Sequence, residues 1–154
     1  MIDLIEAHGP DQISLIRELF LEYASALGID LCFQGFSEEL KQLPGDYAPP
    51  SGRLLLARYE GELAGCIALR KWDEAACEMK RLYVRRIYRK LGIGRELVGR
   101  LIDEARQAGY RRMRLDTLPQ MWEALSLYRS LGFVEIEAFR ENPIPGAKYF
   151  EMTL

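Results

Sequence analysis

The sequence predicts an α/β domain with a mixed sheet of about seven strands and four helices. Three observations lead there. Stretches with helical apolar spacing alternate with short apolar runs, in the order strand, two helices, three strands, helix, strand, helix, two strands. A strongly periodic helix after Gly94 separates two strands, and a right-handed crossover would make those strands parallel neighbours. A chain of 154 residues with 49% hydrophobic content suits one core and is short for two, so residues 1–154 read as a single domain.

Ile2 and Leu4 mark a first short strand. Ile13, Ile16, Leu19, Phe20, Tyr23 and Leu27 then recur at helical spacing until Gly28. Ser37 is read as the cap of a shorter helix ending near Leu43, and Pro44 to Gly52 as a loop that no regular element could contain. Leu54–Tyr59 and Leu63–Leu69, joined at Glu60-Gly61, form a hairpin, with Glu78–Val84 as the next strand. Leu97, Val98, Leu101, Ile102, Ala105 and Ala108 make one stripe of a helix that Gly109 stops. Met113, Leu115 and Thr117 alternate in a strand, residues 121–131 are helical up to Gly132, and 133–139 and 147–154 close the sheet.

Composition removes several functions. The net charge of −2 argues against general nucleic-acid binding, although six Lys or Arg fall between Lys80 and Lys90. With Tyr83 and Tyr88 among them, an RNA-binding patch is the weaker reading of that run. Cys32, Cys66 and Cys77 lack paired metal-ligand spacing and fit a reducing cytoplasm. His8 is the single histidine, so a common zinc site and a Ser-His-Asp triad are both disfavoured. No run approaches the roughly 20 apolar residues of a membrane span. A cytoplasmic protein without a membrane or nucleic-acid partner is expected.

Chemistry concentrates at Arg89-Lys90-Leu91-Gly92-Ile93-Gly94, between a strand and a helix. Backbone N–H groups at a helix start lack carbonyl partners and can take a phosphate, with the macrodipole adding positive potential. Gly92 and Gly94 permit close approach, while Arg89, Lys90 and Arg95 supply whole charges. The loop therefore suits a phosphorylated cofactor. A Walker string is absent, and the third glycine of a dinucleotide fingerprint would fall at Leu97.

Arg-x-x-Gly-x-Gly following Cys77-Glu78-Met79-Lys80-Arg81-Leu82-Tyr83-Val84 resembles the acetyl-CoA loop of the GNAT superfamily of N-acetyltransferases. A second motif, Ala124 to Phe133, resembles that family's helix ending in Leu-Tyr-x-x-x-Gly-Phe. Two positions depart from the pattern: Arg86 stands where proline is frequent and Lys90 where glycine is frequent. The resemblance implies a sheet splayed between strands four and five, with the pantetheine arm of acetyl-CoA in the gap. It implies cofactor contacts from Leu82, Tyr83, Val84, Arg89, Lys90, Leu91, Gly92, Ile93, Gly94, Arg95, Thr117 and Tyr128.

Amide formation needs a neutral amine, and an alkylamine with a pKa near ~10.4 is almost wholly protonated at neutral pH. By resemblance Glu78 takes that proton, directly or through water, and Tyr128 protonates the leaving thiolate; plain roles as a solvent-facing strand carboxylate and a core aromatic compete. The same resemblance makes Phe33, Phe36, Glu78, Asp116 and Asn142 the candidate acceptor contacts, with Tyr23, Gln34 and Tyr47 nearby and Arg140 suited to an acceptor carboxylate; core packing of Phe33 and Phe36 and a plain polar strand end at Asp116 are the competing readings. The expected reaction is acetyl transfer to a primary amine of a small or amino-acid-like acceptor, by direct attack in a ternary complex. An acyl-CoA sensor without catalysis and an enzyme acting on a protein amine are the alternatives. A homodimer through the terminal strands is possible on the same grounds.

Overall fold

The computed structural model describes residues 1–28, 35–119 and 121–154. The strands are β1 (Ile2–Glu6), β2 (Arg53–Tyr59), β3 (Glu62–Lys71), β4 (Ala76–Val84), β5 (Arg112–Thr117), β6 (Val134–Ile136) and β7 (Lys148–Thr153). The helices are α1 (Gly9–Leu27), α2 (Phe36–Gln42), α3 (Ile93–Gln107) and α4 (Trp122–Ser130). One seven-stranded sheet runs in the order β1-β2-β3-β4-β5-β7-β6, with β4 and β5 parallel and every other neighbouring pair antiparallel. The crossover between β4 and β5 is α3, as the stripe Leu97 to Ala105 requires.

Both faces of the sheet are covered. Leu55, Ile67, Cys77, Met79, Met113 and Leu115 pack with the buried stripe of α3 and with Tyr128, Phe133 and Phe150. On the other face Ile16, Leu19 and Phe20 of α1 and Phe36 of α2 meet Leu54, Leu56, Cys66 and Ala68. Alternation along each strand assigns its side chains to one layer or the other.

Two features of β4 shape the site. First, its register against β3 shifts between Cys66 and Ala68, which pair with Tyr83 and Lys80, so Ile67 faces two residues. Arg81 takes up the extra residue at φ 62°, a β-bulge that places Lys80 and Arg81 on the same face in succession. Second, β4 pairs with β5 only through Ala76, Cys77 and Glu78, opposite Arg112, Met113 and Arg114. Beyond that rung the two strands diverge, which is the splay expected between strands four and five.

Several local expectations are corrected. The second helix begins at Phe36 with Gly35 as its cap, so Ser37 lies inside it. Gly45–Tyr47 forms a 3-10 turn in the presumed irregular loop, and Tyr47 is buried with its ring edge against Phe20. The third helix begins at Ile93 instead of Arg95, which puts Gly94 in its first turn. The segments read as 133–139 and 147–154 shorten to β6 and β7.

Candidate active site

Gly92 caps α3 with φ 86°, a left-handed conformation that glycine adopts without steric cost, and no side chain caps this end. The first bond of the helix runs from the Glu96 N–H to the Gly92 carbonyl. The N–H groups of Ile93, Gly94 and Arg95 therefore have no carbonyl within the helix and point out from its positive end. Lys90 supplies a second left-handed residue at φ 66°. A non-glycine side chain thus occupies the turn where the family pattern often has glycine.

This end of α3 opens onto a cleft of about 650 Å³. Leu82, Tyr83 and Val84 form one wall and Arg89, Lys90, Gly92, Ile93, Gly94 and Arg95 another. Nine of the expected cofactor contacts are thereby gathered in one place. Leu91 is exposed and does not line the cleft. Met121, Trp122, Ala124 and Leu127 of the α4 region close the third side. Arg89 reaches back to the Val84 carbonyl at 3.0 Å, and Arg95 donates to Ser130 Oγ at 2.7 Å. Arg85 belongs to the structure instead, paired with Glu22 at 2.7 Å.

A smaller cavity lies in the gap between β4 and β5, lined by Lys80, Arg81, Leu82, Asp116, Thr117, Tyr128 and Asn142 among others. Tyr23, Leu27, Leu82 and Met121 line both spaces, so the gap adjoins the cleft. Tyr128 is held there by ring contacts with Phe133 and Phe150 at 5.8 and 6.4 Å. Burial, helped by Tyr23 and the charge of Asp116, raises the Tyr128 phenol above its ordinary value. It stays protonated at any neutral or mildly alkaline pH, which is the state a proton donor needs. Thr117 Oγ1 makes a contact of 3.8 Å with Met121 Sδ, tying the end of β5 to the start of α4.

Glu78 is engaged by two arginines. It is fully buried, lines neither space, and has Oε1 paired with Arg70 at 2.8 Å while Oε2 accepts from Arg140. Burial works to raise its pKa, but Lys80, Arg70 and Arg140 outweigh that and hold the carboxyl below the usual range. A carboxylate so stabilised is a weak proton acceptor, which counts against the expected role of Glu78 as base. Arg140 is committed to Glu78 and lies over the rings of Trp72 and Phe139 at 5.1 and 5.2 Å, so it does not offer a free fork to an acceptor carboxylate. Phe36 lies in the core under Arg81, with the guanidinium 5.3 Å from its ring. The expected contacts Phe33 and Gln34 fall outside the described residues.

The sequence marks Lys80 only as part of a basic run. It is buried in the gap, and desolvation, followed by the charge of Arg81, lowers its ammonium to about 7 despite the attraction of Glu78. Arg81, fixed by Glu39 at 2.9 Å, sits beside it. Only the bulge brings both onto this face, and no periodicity marks a bulge in advance.

The family model described as the acetyltransferase (GNAT) family matches residues 15–133. The chain belongs to this family. An N-acetyltransferase of Schizosaccharomyces pombe is 39% identical over 147 residues, covering 94% of this chain and 90% of that protein. An acetyltransferase of the GNAT family from Staphylococcus aureus shares the fold with a TM-score of 0.81 at 22% identity, over 99% of each chain. A putative acetyltransferase from Salmonella typhimurium, solved with its cofactor acetyl-CoA, superposes with a TM-score of 0.69 at 20% identity over 99% of this chain and 93% of that one. As a GNAT member the chain is an N-acetyltransferase with acetyl-CoA as its donor. An uncapped helix start beside a cleft walled by an unpaired strand edge is a fitting receptor for a diphosphate joined to an amide-bearing arm. Among the described residues no helix is long and apolar enough to cross a membrane.

Proposed function

We propose that this GNAT protein transfers the acetyl group of acetyl-CoA to a primary amine of a small, amino-acid-like acceptor, by direct attack within a ternary complex in the cytoplasm. The observation that carries the reading is the junction of the two spaces. The cleft at the start of α3 suits the diphosphate, and it adjoins a buried gap that holds a protonated Tyr128 beside the free edge of β4.

In this reading the N–H groups of Ile93, Gly94 and Arg95 take the diphosphate, with Arg89 and Lys90 at its flank. The β4 edge at Leu82 to Val84 hydrogen-bonds the arm and aims an N–H at the thioester carbonyl, a donor of the kind worth about 3 kcal/mol when pre-aimed. Tyr128 gives its proton to the departing sulfur. The acceptor enters from the α1 and α2 side, past Tyr23. Direct transfer is favoured because, among the described residues, the two cysteines Cys66 and Cys77 are buried and burial raises both thiols, Cys77 to about 12.

Thermal-shift binding of coenzyme A against NAD and ATP tests the cleft, and an amine panel with thiol-release readout tests the acceptor. Stabilisation by coenzyme A alone, with thiol release on adding small primary amines, is the expected result. Turnover confined to a protein amine would replace the small-acceptor reading.

A further inference from the structure

We propose that Asp116 is the residue that accepts the proton leaving the amine nitrogen as it attacks the thioester. The inference rests on the acetyl-transfer reading above. Asp116 Oδ2 is buried, and no donor among the described residues reaches it. A buried acceptor left without a partner costs about 1–3 kcal/mol, more when charged, so its presence in a folded chain asks for an explanation. A substrate N–H supplies one. Asp116 lines the gap together with Tyr128 and Leu82, whereas Glu78 does not reach it.

The position follows from strand register. Glu78 and Arg114 form the last paired rung of β4 and β5, and Asp116 stands two residues further along β5, on the side away from the core residues Met113 and Leu115. The groups around it come from several elements: Lys80 and Arg81 on β4, Tyr23 on α1, Tyr128 on α4, and Tyr149, its partner across β7. Its charge raises the phenols of Tyr23, Tyr128 and Tyr149, which places the carboxylate within electrostatic reach of all three. Lys80 shows the direction this environment imposes on an alkylammonium: burial, then the charge of Arg81, lowers it to about 7. An acceptor amine entering the same gap is pushed toward its neutral form in the same direction, which leaves Asp116 the proton released as the C–N bond forms.

The step balances. The nitrogen lone pair forms the new C–N bond at the thioester carbon while an N–H proton passes to Asp116 Oδ2. The C–S bond breaks as Tyr128 donates its phenolic proton to sulfur. The proton on Asp116 returns through water to the tyrosinate, and the net change is one proton moved from nitrogen to sulfur.

The test compares Asp116→Asn, Asp116→Glu and Glu78→Gln with the unaltered protein in thiol release with a panel of primary amines and hydroxylamine. Acetyl-CoA affinity and melting temperature are measured alongside. Expected for Asp116→Asn is a fall in kcat of about 100-fold at pH 7 with acetyl-CoA Kd and melting temperature unchanged. The deficit narrows toward pH 9.5 as hydroxide substitutes for the carboxylate, and Asp116→Glu recovers at least a tenth of the rate. A merely structural role would not give that pH dependence. Unchanged turnover in Asp116→Asn, or loss of acetyl-CoA binding or fold in both Asp116 variants, overturns the assignment and leaves acetyl transfer standing. Thiol release by the unaltered protein that no amine accelerates overturns both.

Discussion

Lys80 and Asp116 each stand two residues past the last paired rung of β4 and β5, and both side chains line the gap that opens there. Had the strands stayed paired, the two would have been cross-strand neighbours on one face. The divergence turns a would-be surface pair into a buried chamber with an amine on one strand and a carboxylate on the other. Tyr128 reaches the same chamber from α4. The splay therefore makes room for a ligand arm and also assembles the titratable groups that chemistry on an amine requires.

Lys80 should leave a signature in the pH dependence of stability. Its folded pKa of about 7 lies below the ordinary lysine value, so between that pH and about 10.5 the unfolded chain binds more protons. The penalty is thus complete at pH 7 and below, and fades as pH rises through the alkaline range. Lys80→Met is expected to raise the melting temperature most at pH 6 and to lose most of that gain by pH 10. A gain independent of pH would show that lysine packing, not its charge, sets the difference.

Glu78→Gln is expected to lower stability by about 2 kcal/mol, since a neutral amide leaves the half-buried Arg70 and Arg140 without their counter-charge. The depressed carboxyl makes the sign definite: its contribution is present above the ordinary Glu value and disappears as pH falls through the lower folded value. Denaturant unfolding at pH 7 measures the loss. A surviving pH–rate profile of unaltered shape in the folded variant would identify Glu78 as a support of the site and not its base.

Tyr128→Phe removes one oxygen from a ring that Phe133 and Phe150 hold in place, so the site geometry should persist. Turnover is expected to fall by about 100-fold while acetyl-CoA affinity changes less than twofold. Isothermal titration beside steady-state kinetics separates the two quantities. A variant that loses affinity and rate together would place the hydroxyl in cofactor binding.

Much of this site could be read from the chain because its signals are local. Gly92, the stripe of α3 and the Leu127-Tyr128 to Gly132-Phe133 helix end each depend on a few neighbouring residues; the structure places Gly92, Leu127 and Tyr128 at the cleft and the gap and the α3 stripe and Phe133 in the core behind them. What escaped depends on pairing across the sheet. The bulge at Arg81 exists only against β3, and it alone decides that Arg81 joins Lys80 on one face. The burial of Glu78 needs Arg70 from β3 and Arg140 from a loop before β7, partners 8 and 62 residues away. Proline and glycine around Tyr47 predict a loop, yet its ring fills the core beside Phe20. Composition reports the turn and says nothing of where the turn sends its side chain.

Two glycines of the α3 segment should respond in opposite ways. Gly92→Val places a β-branched residue at φ 86°, a conformation costing about 1–3 kcal/mol, although no atom within 4 Å blocks its Cβ. The strain is relieved by rotating the cap, which re-aims the N–H groups of Ile93 and Gly94, so the Kd for acetyl-CoA should rise at least tenfold. Gly99→Ala lies within the same helix, also with no atom near its Cβ, and should stabilise the protein by about 1 kcal/mol without altering Kd. Titration calorimetry with melting curves on both variants checks the contrast. If Gly92→Val bound acetyl-CoA normally, the diphosphate would not rest on these amides, and the start of α3 would lose its assigned role.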